Sequence, residues 1–155
     1  MGTLGSEVGD SVVEVQHVLA RIMRLPMSTV AAVQGHAFAA GAMLALAHDV
    51  RVMRSDRGYF CLPEIDLGLS FSDGFAAIIQ AKLAQPALHR LAVLGERLDA
   101  PTGVDLGFID VAVAESEVLP TTIDRATTLA PKASPTIAAL RANFYGNAIE
   151  SLAAR

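Results

Sequence analysis

Between Met27 and Ala47 the chain runs for 21 residues with no charged side chain and one titratable group, His36. A stretch of that length and polarity belongs in a bilayer or in a protein interior. Its internal pattern decides between them. Ser28–Gln34 (STVAAVQ) is β-branched and strand-like, Gly35 breaks it, and Ala39–His48 is an Ala/Leu/Met helix. A strand, a turn and a helix in one apolar run describe a buried βα unit, so no membrane span is expected.

The rest of the composition agrees with an interior-rich domain. Apolar residues make up 52% of the 155 residues and charged residues only 18%, which excludes disorder and suits one compact domain. With a net charge of −4 and no basic cluster, a nucleic-acid partner is not expected. Cys61 stands alone, so no internal disulfide can form. Glu7, Asp10 and Glu14 near the start do not read as a signal peptide, and the final Ala-Ala-Arg is not a peroxisomal address. The location stays open: cytoplasm for a bacterial protein, peroxisome or mitochondrion for a eukaryotic one.

Ser11 and Glu14 form a capping box ahead of an apolar stripe of Val12, Val15, Leu19, Ile22 and Met23, and Pro26 ends that helix. After the βα unit, strands are expected at Asp49–Met53 and Tyr59–Leu62, with a loop from Pro63 through Gly68 to Ser72. A helix at Ser72–Ala84 follows, then one between Pro86 and Gly95, and a short one at Pro101–Leu106. The strand Phe108–Val113 and helices at Glu117–Ala130 and Ser134–Leu152 complete an α/β domain with early strands and late helices.

Several chemistries lack their motifs. Gly35–Gly41 does not have dinucleotide-binding spacing, no phosphate loop follows it, and no Gly-x-Ser-x-Gly elbow occurs. His17, His36, His48 and His89 lie 19, 12 and 41 residues apart, without the spacing of a metal site. Two features remain. Small residues at Ala39-Ala40-Gly41 open a helix whose first amides can hold an oxyanion, although the same residues also suit a close helix–strand contact. Glu64, flanked by Leu62, Pro63 and Ile65, is either an exposed loop residue or a partly buried base of raised pKa.

Taken together, STVAAVQGHAFAAGAMLALAHDVRV, then LPEIDLGL, then GERLDAPTGVDLGFIDVAV resemble the crotonase (enoyl-CoA hydratase/isomerase) family, and most of all its plant-type Δ3,Δ2-enoyl-CoA isomerases. The matching positions are Gln34–Gly41, the His48-Asp49 pair, Pro63-Glu64 and, loosely, Pro101–Asp110. The resemblance implies a crotonase-like spiral core lacking its N-terminal part, since such domains run to about 250 residues and about 90 are missing by comparison. On this reading residues 1–133 are a partial core. Residues 134–155 form a helical oligomerisation element, and the assembly is a homotrimer or hexamer.

The resemblance also implies roles. The amide of Ala40 becomes an oxyanion-hole donor to the thioester carbonyl of an acyl-CoA, with Phe38, Ala39 and Gly41 shaping the groove for its pantetheine arm. Glu64 becomes the base, and no cofactor or metal is required. Met43 stands where the family's hydratases carry a first carboxylate, which favours double-bond isomerisation over hydration. Asp73 is a candidate second acid, but its spacing from Glu64 suits a helix N-terminal charge better. His36 at the pocket edge, Asp49 and Asp66 are expected to be structural.

Overall fold

The computed structural model describes residues 3–154, with side chains from Ser11 onward. A long helix, α1 (Thr3–Met23), leads into β1 (Val30–Val33), a two-residue strand β2 (Ala37–Phe38), helix α2 (Ala40–Ala47) and β3 (Val50–Arg54). Then come β4 (Phe60–Cys61), the one-turn helix α3 (Glu64–Leu67), α4 (Asp73–Lys82) and α5 (Gln85–Leu88), which continues as a wider π-helical turn to Val93. The chain ends with α6 (Ala100–Asp105), β5 (Val111–Val113), α7 (Glu115–Leu129) and α8 (Pro135–Ala153).

All strand pairs are parallel. One sheet has the order β1-β3-β5, with Val30 opposite Val50 and Val52 opposite Val111. The other pairs β2 with β4, setting Ala37 beside Phe60 and Phe38 beside Cys61. Helix α7 covers the first sheet, while α8 packs on α1 and α4, and α1 and α4 pack on α2. The core between them contains Leu19, Met23, Met43, Leu46, Met53, Phe60, Ile78, Leu91 and Leu152, with the Phe60 and Phe108 rings 5.1 Å apart. The apolar run from Met27 to Ala47 contributes Val33, Ala37, Ala42, Met43, Ala45, Leu46 and Ala47 to the core, and no helix among the described residues is long and apolar enough to cross a membrane.

Several expectations shift for local reasons. Helix α1 starts at Thr3, so Ser11 and Glu14 lie inside it, and a helix already running through Ser11 has no free first-turn amides there to cap. The strand expected at Phe108–Val113 shortens to Val111–Val113. The amides of Phe108 and Ile109 both donate to the Gly103 carbonyl at 3.0 Å, closing α6 instead. Strand β2 was not foreseen. The loop expected from Pro63 contains α3, closed by Gly68 in the left-handed region at φ 66°.

Two buried arginines tie these elements together. Arg51 on β3 donates from Nε to the Phe108 carbonyl at 2.6 Å and from Nη1 to the His48 carbonyl at 2.8 Å. Its backbone amide donates to Asp110 at 2.7 Å, which fixes the approach to β5. Arg141 on α8 donates to the carboxylate of Asp49 and to the carbonyls of Leu25 and Met27. Asp49 also accepts the Thr29 amide at 2.7 Å, so one carboxylate joins the start of β1, the start of β3 and the last helix.

Candidate active site

The site grows from the β2–β4 ladder. Past Phe38 the Ala39 amide donates to the Cys61 carbonyl at 3.0 Å, and the chain then turns sharply at Ala39 (φ 48°, ψ −120°) into α2. Ala39 is the sole non-glycine residue at positive φ among the described residues. Its carbonyl accepts from the Met43 amide at 3.0 Å, and no side chain caps the helix. The amides of Ala40, Gly41 and Ala42 thus have no intrahelical acceptor, and the positive end of the helix dipole lies there without an acidic first turn.

The partner strand delivers Glu64. Three residues after Cys61, Pro63 turns the chain and Glu64 begins α3, its carbonyl accepting from Leu69 at 2.9 Å. The Glu64 side chain is buried, at 8% exposure, and its Oε2 has no hydrogen-bond partner. Burial pushes its pKa above the ordinary carboxylate value, against a weaker opposing effect of a hydrogen bond to its own backbone. The alternatives left open by the sequence are resolved on the buried side. This is a buried carboxyl with one oxygen unpartnered, in largely apolar surroundings.

Glu64, Ala39 and Ala40 line one cavity of about 640 Å³, whose walls are largely apolar. Met43 closes the α2 side. Val12 and Val15 come from α1, Leu69 and Phe71 from the following loop, and Phe75 from α4. At the far rim, Ser72 caps α4: its Oγ accepts from the Phe75 amide at 3.3 Å and donates to the buried Gln16 Oε1 at 2.9 Å. A side chain at Gly74 would collide with that Gln16 amide, so glycine there lets α4 lie close to α1.

Not every expected residue joins the cavity. Phe38 packs instead between His36, at 5.0 Å between ring centroids, and the Arg97 guanidinium, at 5.4 Å from its ring. Gly41 lines a separate groove beside β1, because the helical rotation from Ala40 turns it to another face. Asp73 is exposed at the first position of α4 and lies outside the lining, where it complements the helix dipole rather than serving as a second acid. Asp49 and His36 are structural: His36 Nδ1 accepts the Tyr59 amide at 3.2 Å. Among the described residues no three His, Cys, Asp or Glu side chains form a metal-holding group.

The α1 wall was legible only as an apolar stripe, without a hint that Val12 and Val15 face a cavity. The strain at Ala39 carried no signal at all. An alanine at φ 48° costs of order 1–3 kcal/mol, a cost glycine would escape. Ala39→Gly is therefore expected to raise stability by about 1 kcal/mol, read as a higher urea midpoint with unchanged slope. A midpoint equal to or below the parent's would show that the turn is not strained.

The chain is similar in sequence and in fold to known proteins. Residues 5–154 match the enoyl-CoA hydratase/isomerase family. The chain is 45% identical over 101 residues to the peroxisomal enoyl-CoA delta isomerase 2 of Arabidopsis thaliana, covering 64% of this chain and 42% of that protein. It is 41% identical over 118 residues to enoyl-CoA delta isomerase 3 of the same plant, covering 74% and 50%. It thus spans about half the length of the curated relatives it matches. An enoyl-CoA hydratase/isomerase family protein from Pseudomonas syringae superposes with a TM-score of 0.88 at 21% identity, over 98% of this chain and 66% of that one. An enoyl-CoA hydratase from Mycobacterium ulcerans does so at 0.85 and 22%, over 92% and 63%. With its parallel core, its α2 N-terminus and nearly its whole length accounted for, the chain belongs to the enoyl-CoA hydratase/isomerase family, with the crotonase fold.

Proposed function

We propose that this chain carries the base and an oxyanion donor of an enoyl-CoA isomerase, moving the double bond of a 3-enoyl-CoA to position 2 in the breakdown of unsaturated fatty acids. One observation carries the reading. A buried carboxyl whose Oε2 has no hydrogen-bond partner and Ala40, the first residue of α2, which no side chain caps, line the same apolar cavity.

The chemistry follows from that pairing. The Glu64 carboxylate removes a proton from C2, the C2–H electron pair forms the C1=C2 bond of a dienolate that keeps its C3=C4 bond, and the carbonyl π pair moves onto the thioester oxygen. Its oxygen takes the negative charge and accepts a hydrogen bond from Ala40, assisted by the α2 dipole. The protonated Glu64 then returns its proton to C4: the oxygen pair reforms the C=O bond, the C1=C2 pair becomes the new C2=C3 bond, and the old C3=C4 pair forms the new C4–H bond. One proton and one double bond move, so the step is redox-neutral and one base is enough. Hydration needs a second group to position water, and Met43, buried at 1% exposure, cannot supply it. The apolar walls from Val12, Val15, Phe71 and Phe75 suit an acyl tail. The exposed Leu140 and Phe144 on α8 favour assembly through that helix, as a homotrimer or hexamer.

The test is to supply a 3-enoyl-CoA and identify the product. Formation of the conjugated 2-enoyl-CoA supports the reading. Release of 3-hydroxyacyl-CoA from a 2-enoyl-CoA would make the protein a hydratase instead. Acyl-CoA binding with no turnover would make this chain a binder.

A further inference from the structure

Only two lysines occur in the chain, Lys82 and Lys132. Lys132 is exposed. Lys82, the last residue of α4, is half-buried and lies over the Tyr145 ring on α8, with Nζ 4.3 Å from the ring centroid. The contact is the attraction of a cation to a π face. No ion pair among the described residues includes this ammonium. The carboxylates within its electrostatic reach are Asp49 and Asp110, and both are engaged elsewhere. Asp49 takes the Arg141 guanidinium and the Thr29 amide, while Asp110 takes the Arg51 amide and guanidinium.

Three cations, Lys82, Arg51 and Arg141, thus share two carboxylates, with the His48 imidazole close enough to feel the lysine charge. A guanidinium keeps its proton in proteins, so the ammonium is the group that yields. Burial is the main cause that brings the Lys82 pKa down to about 8. The two guanidiniums add to it, against the attraction of Asp49 and Asp110. A groove of about 340 Å³ adjoins this place between α4 and α8. Its lining includes Gln80, Ala81, Asn143, Tyr145 and Asn147, so it passes the residue before Lys82 and the residue on which the amine rests.

We propose that Lys82 is an acylation site, its amine taking a short acyl group from an acyl thioester. The nitrogen lone pair attacks the thioester carbonyl carbon, an N–C bond forms, and the C–S bond breaks. The sulfur leaves as a thiol with the proton given up by nitrogen. The amide product is neutral, so two cations then face two carboxylates. This inference rests on the surroundings of Lys82 and not on the isomerase reading, and acetyl-CoA, which has no double bond to move, tests it separately.

The experiment incubates the full chain with acetyl-CoA and follows initial acetylation rates at both lysines by peptide mass spectrometry. Near pH 8 an ordinary lysine amine is less than about 1% neutral, against roughly half for Lys82, whose lower basicity returns part of that gain. In the folded protein Lys82 is expected to react at least about fivefold faster than Lys132, and in concentrated urea the two rates should converge. The Lys82 rate should also bend over near pH 8. Lys82→Arg should lose the fast modification while Lys132 reacts as before. A folded-state ratio near one, a ratio that persists in urea, or a Lys82 rate climbing without a bend to about pH 9.5 would overturn the proposal and leave Lys82 a structural cation.

Discussion

Glu64→Gln is expected to lower the rate of 3-enoyl-CoA isomerisation by about 10²–10⁴-fold, the usual span for losing a positioned acid–base group. Glutamine keeps the shape and burial of the side chain but cannot accept the C2 proton, so acyl-CoA affinity should change far less than turnover. A variant that isomerised at the parental rate would remove Glu64 from the mechanism. The same residue sets a pH signature. Because burial raises its pKa above the ordinary glutamate value of 4.5, the reactive carboxylate accumulates only as pH rises past that range. The acid limb of the rate profile should therefore lie above pH 4.5 and vanish in Glu64→Gln.

Stability should respond in the opposite sense. A carboxyl whose pKa is higher folded than unfolded binds more protons in the folded state between those two values. Folding is then favoured at low pH and loses that contribution as pH rises through the folded pKa. Glutamine is neutral at every pH and carries no such penalty. Glu64→Gln should thus unfold at a higher urea concentration than the parent near pH 7, with the difference shrinking as pH is lowered. Equal midpoints at both pH values would mean that the carboxyl is effectively solvated.

Arg141→Met is expected to cost about 3–5 kcal/mol, the cost of breaking a buried ion pair from one side. The guanidinium is 7% exposed and serves Asp49, Leu25 and Met27 together. Methionine fills much of the volume but leaves the Asp49 carboxylate without its cation and two carbonyls without donors. Arg141→Lys should recover only part of the loss, since one ammonium cannot reproduce a planar fork directed at three acceptors. Urea unfolding of the three proteins gives the comparison. A loss below about 1 kcal/mol for Arg141→Met would show that the network is dispensable.

The role of Arg141 marks the boundary of what sequence could reveal. The βα unit was readable because β-branched and small apolar residues switch period at Gly35, and that switch is local. Glu64 could be singled out by its apolar neighbours and by resemblance, yet its burial depends on α1 and α4, which come from other parts of the chain. Asp49 looked like a turn residue because its partner lies 92 positions away. Phe38 and Gly41 flank the same turn yet lie outside the lining of the Glu64 cavity. A one-residue step on a strand or helix selects a face, and the positive φ at Ala39 shifts which face that is. Asp73 shows the same limit at the start of α4.

The β2–β4 ladder has a consequence for how this site tolerates change. The proposed donor and base follow adjacent rungs, with Ala39 bonded directly to Cys61 and Glu64 three residues beyond it. All the chain between Phe38 and Phe60, including α2, β3 and the exposed turn at Ser55-Asp56-Arg57, is a closed excursion that returns to the same place. Residues added or lost in that turn would alter the length of the excursion and leave its endpoints where they are. The spacing of the proposed base and donor is thereby insulated from length changes in that exposed turn.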